Sequence, residues 1–390
     1  MLLQKCIRET YLDAIRFTLS GRRKDNMSSN EQTVTARAFS RPVSAQMLEA
    51  FIGAALVFWL VARVVLVHSL ISDSNWAVYN QPYSFAVAVV AGCLLAALAY
   101  KGLDFELPGI VGVFCLLFGT LAFWSATGDS RPIVLVLFLV AARDMDLVRL
   151  LRFFGIGTLV AIVAAAIAVA IFAALGKLDA PDDQILLIGA FKEPSMLACL
   201  LFGALCCVFI NARGNSRICV ALVIACLFCS VAAFVLLHAK RCGLLMIVLA
   251  ACVFVDNRFH DSLNAAFAKR STNWLIAALP IALFCLSNDI FKLYAIGEQT
   301  SGFAVAVPSF GYAITACFIV LYIRAILLGS VSDQRFAFSI VFILYAFYLL
   351  LEQYPLNLEF NCSLLLLSLG FRRGVFSSPN DSSNPEKEQA

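Results

Sequence analysis

Twelve apolar runs divide this chain, near 50–70, 84–100, 109–126, 131–142, 153–175, 194–211, 218–237, 243–256, 273–288, 306–328, 336–352 and 359–371. Runs such as Phe153–Leu175 and Ile218–Leu237 reach the roughly 20 residues that a helix needs to cross a hydrocarbon core about 30 Å thick. Lipid offers the backbone no hydrogen-bond partner, so each run must satisfy its own peptide groups as an α-helix. With 62% hydrophobic residues, 14% charged and a mean hydropathy of +0.89, an ordinary soluble domain is excluded. The expected fold is all-α: a polytopic membrane protein of about twelve transmembrane helices.

Orientation turns on one short run. Residues 131–142 would rise only about 18 Å as a helix, so this run either recruits its flanks or remains a half-helix. If all twelve runs cross from an inside N-terminus, thirteen downstream Lys and Arg, Arg143 through Lys387, fall inside. Only Lys177, Lys192, Lys240, Arg241 and Lys292 then fall outside. Removing that crossing reverses the bias, so the positive-inside rule favours twelve crossings with both termini cytoplasmic.

The expected organisation is a basic cytoplasmic segment over 1–46, a transmembrane domain over 47–372 and a cytoplasmic tail over 373–390. External loops are expected at 71–83, 176–193 and 289–305. The opening segment lacks the apolar core of a secretory signal. Its Ile7, Tyr11, Ile15 and Leu19 recur every four residues among Lys5, Arg8 and Arg16. That spacing fits a short helix on an anionic inner leaflet, and equally a disordered basic tail.

The 14 cysteines read as apolar packing residues, since Cys93, Cys115, Cys206, Cys207, Cys226, Cys229 and Cys252 lie inside apolar runs. Cys226 and Cys229 have no second pair and no neighbouring histidine, which leaves little for a zinc site. Cys242 stands apart by adjoining Lys240 and Arg241.

Chemistry is sought among the few charges near the outer face. Glu193-Pro194-Ser195 opens a helix, and proline in a first turn beside an acidic residue is also a plain start signal. Lys240 and Arg241 occupy a tight external turn against the orientation signal, suiting lipid phosphates or a dedicated anion site. Arg63 lies about 10 Å inside the first run, where it either snorkels outward or faces a polar cavity. Trp76, Tyr79 and Tyr294 are interface-belt residues or stacking surfaces for sugar. Asp179, Asp182 and Asp183 form an acidic loop cluster, open to either a solvated or a metal-binding reading. No glycine-rich phosphate loop is present, which argues against an ATP-driven pump.

Phe191-Lys192-Glu193-Pro194-Ser195-Met196-Leu197-Ala198 resembles the Phe-x-Glu-Pro-Ser-x-x-Ala step of the O-antigen and exopolysaccharide polymerases, the Wzy type. Two helices on, Ala239-Lys240-Arg241-Cys242-Gly243-Leu244-Leu245 is similar to that family's serine–arginine turn, with the arginine and glycine kept and the serine absent. The close match spans about 60 residues, Gln184 to Gly243. This resemblance implies a glycosyltransferase of the bacterial inner membrane that joins polyprenyl-diphosphate-linked oligosaccharides on the periplasmic side. Glu193 and Arg241 are then the expected catalytic pair, with Arg63, Lys192, Lys240 and Arg241 on the diphosphate. No metal or cofactor is expected; membrane lipids and a chain-length regulator are the expected partners, nucleic acid is not. A lipid-linked sugar flippase, another twelve-helix transporter and an O-antigen ligase stand as alternatives.

Overall fold

The computed structural model describes residues 43–71, 76–101, 107–176, 186–212, 215–293, 302–329, 334–351, 354 and 357–371. The chain divides into two units, Met1–Leu48 and Glu49–Ala390. The expected amphipathic helix at Ile7–Leu19 and the cluster of Asp179, Asp182 and Asp183 lie outside the described residues.

Among the described residues the architecture is helical, with one isolated antiparallel bridge, Ser69 to Phe191. The principal helices are α1 (Val43–Arg63), α2 (Trp76–Lys101), α3 (Leu107–Thr127) and α4 (Arg131–Ala141). Next come α5 (Leu147–Ala174), α6 (Pro194–Ala212), α7 (Ser216–Val235) and α8 (Lys240–Phe267). The series ends with α9 (Arg270–Leu293), α10 (Gly302–Gly329) and α11 (Arg335–Leu351). Six described stretches are long and apolar enough to cross a bilayer: Ala45–His68, Gln81–Lys101, Leu147–Ala174, Pro194–Ala212, Ser216–Val235 and Lys240–Phe267. The chain is an all-helical, multi-pass membrane protein.

Local sequence sets the helix ends. Asp146 Oδ1 accepts from the Val148 N–H and caps α5, and Asn215 Oδ1 does the same for Arg217 at the start of α7. Pro194 fills the first position of α6, where a missing N–H costs nothing. Helix α6 is the most enclosed of the span-length helices, whereas α5 and α7 turn Val163, Ile167, Phe228 and Val231 outward, as lipid-facing helices do.

Several boundaries differ from the sequence expectation. Helix α2 starts at Trp76 and carries Pro82 inside it, so much of the expected 71–83 loop is helical. Helix α9 runs to Leu293 and α10 begins at Gly302, which shortens the 289–305 loop. The 131–142 run forms the 11-residue α4, a rise of about 16 Å, buried from Val134 to Ala142. Protein surrounds it, and that is how so short a helix is accommodated.

The 359–371 run is not one helix but three short turns, Leu358–Phe360, Ser363–Leu366 and Leu367–Phe371. Asn361 makes the break, because its Oδ1 accepts from both the backbone N–H (2.9 Å) and the hydroxyl (2.6 Å) of Ser363 and restarts the winding. A Cβ at Gly370 would stand 3.0 Å from the Leu321 carbonyl oxygen, so glycine lets these turns lie close against α10.

Polar contacts gather at two ends of the helix set. At one, Arg149 Nη1 donates to Glu49 Oε2 over 2.9 Å, and Lys101 Nζ reaches Asp144 Oδ2 over 2.7 Å. At the other, Arg63 meets Tyr83 and residues from the far end of the chain. Helix α2 links the two ends, with Tyr83 near its start and Lys101 at its finish. So does α4: Ser130 precedes it beside Tyr83, and Lys101 Nζ donates to the carbonyl of Ala141 at its finish.

Candidate functional site

The site begins with a change of helical winding. After Arg63, α1 passes into a π-turn over Val64–His68. In an α-helix, residues five apart point about 140° away from each other. A π-turn bonds each residue to the fifth one along, which brings Arg63 and His68 to the same side. Both reach one carboxylate oxygen, Glu359 Oε1: Arg63 Nε at 2.9 Å, Arg63 Nη2 at 2.7 Å and His68 Nε2 at 2.8 Å.

This node is fully enclosed, with the side chains of Glu359 and Arg63 only 1% and 6% exposed. The guanidinium also donates to Tyr83 Oη (3.1 Å) and lies over the Trp59 and Tyr83 rings at 5.8 and 5.5 Å. Tyr83 Oη in turn lies 3.3 Å from Ser130 Oγ. In low dielectric such a charge persists only when paired and hydrogen-bonded, which is the arrangement found. Arg63 is buried and binds Glu359, a residue absent from the expected site.

Backbone pairing then brings the Glu-Pro-Ser step to the same place. The Leu70 N–H donates to the Ala190 carbonyl and the Lys192 N–H to the His68 carbonyl, each over 3.1 Å. These bonds flank the Ser69–Phe191 bridge and tie the entrance of α6 to the exit of α1. Phe191 is buried, Lys192 half-buried and Glu193 exposed. Glu193 Oε2 accepts from the Tyr354 hydroxyl and from Ser195 Oγ (3.3 Å). Burial, then the bond to Glu193, pushes the Tyr354 phenol well above its ordinary range and keeps it a donor.

Arg241 enters through the first turn of α8. Its Nη1 donates to the carbonyl of Leu351 over 2.5 Å, capping the last turn of α11, a role that by itself is structural. Lys240 beside it is exposed. The preceding turn closes because His238 adopts φ +50°, allowing the Ala239 N–H to reach back to the Ala233 carbonyl over 2.8 Å.

Residues of one stretch of chain, Leu351 to Phe360, therefore meet Arg241, Glu193, Arg63 and His68. Leu351 receives Arg241, Tyr354 holds Glu193, and Glu359 binds Arg63 and His68. Asn357 Oδ1 accepts from Arg131 Nη1 over 2.7 Å, while Arg131 also pairs with Asp129. The Phe360 ring packs on His68 and Tyr354 with centroids 4.8 and 5.7 Å away.

Of the expected sugar-stacking residues, Trp76 and Tyr79 fall at the start of α2, and Tyr294 lies outside the described residues. Tyr354, Glu359 and Arg131 went unnoticed in the sequence. The one available signal was the acidic residue at the threshold of the last apolar run. Among the described residues no group of three or more His, Cys, Asp or Glu is disposed to hold a metal ion. Comparison with protein-family models, with curated proteins and with solved structures finds no match to this chain.

Proposed function

We propose that this protein polymerises polyprenyl-diphosphate-linked oligosaccharide repeat units at the periplasmic face of a bacterial inner membrane. In this reading twelve segments cross, both termini are cytoplasmic, and the Arg63 end faces outward. The positive-inside count supports that orientation, as do the contacts that run α2 and α4 from one end of the helix set to the other. The observation that carries the proposal is the gathering of Arg241, Glu193 and Arg63 along Leu351–Phe360.

In the proposed reaction a sugar hydroxyl attacks the anomeric carbon of the donor and passes its proton to the Glu193 carboxylate. The bond from that carbon to the lipid diphosphate breaks, and the diphosphate leaves with the electron pair. Arg241, Lys240 and Lys192 stabilise the charge that grows on it. Tyr354 orients Glu193. Arg63, expected among the diphosphate ligands, has its charge matched by Glu359, so its part is to anchor the stretch that the other residues grip. Fixed cations supply the positive charge, and the scheme draws on no metal or cofactor.

A transporter reading, such as a lipid-linked sugar flippase, is favoured by one observation: an ion pair buried within the helix set. Vesicles containing the purified protein and lipid-linked repeat units separate the readings. A polymerase lengthens the saccharide unaided. A flippase moves the lipid across without lengthening it, and a ligase needs a second kind of acceptor.

A further inference from the structure

Beneath Glu193 and Arg241, two thiols from different helices face each other. Cys199 lies in the second turn of α6 and Cys242 in the first turn of α8. Both are present as thiols, each at most 2% exposed, with their sulfurs 3.9 Å apart. The Tyr348 hydroxyl of α11 contacts both, with Cys242 Sγ at 3.0 Å. A disulfide needs sulfurs about 2.05 Å apart, so the pair must close by about 2 Å. Cys226 and Cys229, three apart on α7, share one helix, and a bond between them would tie no two elements together.

We propose that Cys199 and Cys242 form a reversible disulfide that clamps the outer ends of α6 and α8. Cys242 follows the half-buried Arg241 at the mouth of α8 and is the sulfur that a disulfide oxidant meets first. Its thiolate attacks one sulfur of the oxidant's disulfide; that S–S bond breaks, the other sulfur leaves as a thiolate, and the attacked sulfur stays on Cys242 as a mixed disulfide. The Cys199 thiolate then attacks the Cys242 sulfur and expels the second thiolate. Two protein thiols lose two electrons and two protons, and one oxidant disulfide becomes two thiols. Because Glu193 and Arg241 sit on the two clamped helix ends, the bond fixes their separation. The clamp rests on helix packing and not on the polymerase reading, so either can fail alone.

Membrane vesicles carrying the full chain, treated with dithiodipyridine and then alkylated, provide the test. Trypsin cuts after Lys192, Arg213, Arg241 and Arg258, so the clamp joins peptide Glu193–Arg213 to peptide Cys242–Arg258. The expected result is that joined peptide, with fragment masses assigning the bond to Cys199 and Cys242, and its loss on reduction. The Cys199→Ala variant lacks it while still inserting in the membrane. Absence of the joined peptide from oxidised wild type, or its survival in Cys199→Ala through Cys206 or Cys207, would overturn the clamp.

Discussion

The two ends of the helix set handle charge in opposite ways. At the Arg149 end, ion pairs are short but wet: the Asp144 side chain is 53% exposed while holding Lys101 and Arg143 at 2.7 and 2.9 Å. The Arg149 side chain is also partly open, at 33%, although its partner Glu49 is buried at 9%. At the Arg63 end, Glu359 is 1% exposed and serves two basic groups on one oxygen. Exposed pairs contribute little, because water competes and long side chains lose freedom. Enclosed ones are held by the cost of leaving either member alone. The exposed Asp144 pairs therefore tolerate change, whereas the Arg63–Glu359 pair is an all-or-nothing arrangement beside the residues proposed to do chemistry.

The sharpest way to break this contrast is to strip the enclosed pair of one member. Glu359→Ala should destabilise the protein by about 3–5 kcal/mol by leaving Arg63 buried without its carboxylate. Thermal unfolding in detergent would register this as a large drop in the midpoint. Replacing both residues, Arg63→Leu with Glu359→Leu, should recover most of the loss. A Glu359→Ala cost no greater than that at Asp144 would erase the distinction between the ends.

Next in size is Tyr354→Phe, which removes one hydrogen bond to Glu193, an effect of about 1–2 kcal/mol. Polymer formation should slow by about tenfold with unchanged protein yield, read from the lengths of product made in a fixed time.

Asp144→Asn should cost at most about 1 kcal/mol. Burial alone would raise the Asp144 carboxyl, but the hydrogen bonds and charges of Lys101 and Arg143 outweigh it and hold it below the ordinary value. A depressed carboxyl adds stability above its unfolded pKa of about 4, and that increment fades as pH falls through the lower folded value. The difference in unfolding midpoint between wild type and Asp144→Asn should stay constant from about pH 8 to 5 and shrink below about 4.

The smallest change belongs to His238→Gly. It relieves a left-handed backbone at φ +50° and should alter stability by under about 1 kcal/mol, with the turn before Lys240 kept intact.

Helix identity was legible because lipid imposes one pattern, a long apolar run: α6 and α7 follow theirs to within two residues, while α5 ends with its run but begins six residues earlier, at Leu147. Pro194 marked its helix start for the same local reason. Runs that lean on tertiary packing were harder to read. Asn361 breaks the last run through its own side chain, and α8 continues past its apolar part to Phe267 on a polar ladder. In that ladder Asp256, His260 and Asn264 bond in series, and Asn264 Oδ1 also accepts from the Phe336 N–H of α11.

At the site, spacing pointed to Arg63, Glu193 and Arg241 one at a time. Their common partner stretch stayed hidden, since Glu359 lies nearly three hundred residues from Arg63 in sequence. The π-turn hid the link with His68, because a spacing of five reads as two different faces of an α-helix.

Product length made from lipid-linked repeat units by vesicles of wild type, Arg241→Ala, Glu193→Gln and Asp144→Asn tests the account most directly. The account predicts long saccharides from wild type and Asp144→Asn, and unextended repeats from the two Arg63-end variants, all four proteins inserting equally in the membrane. Full-length polymer from both Arg241→Ala and Glu193→Gln would contradict it.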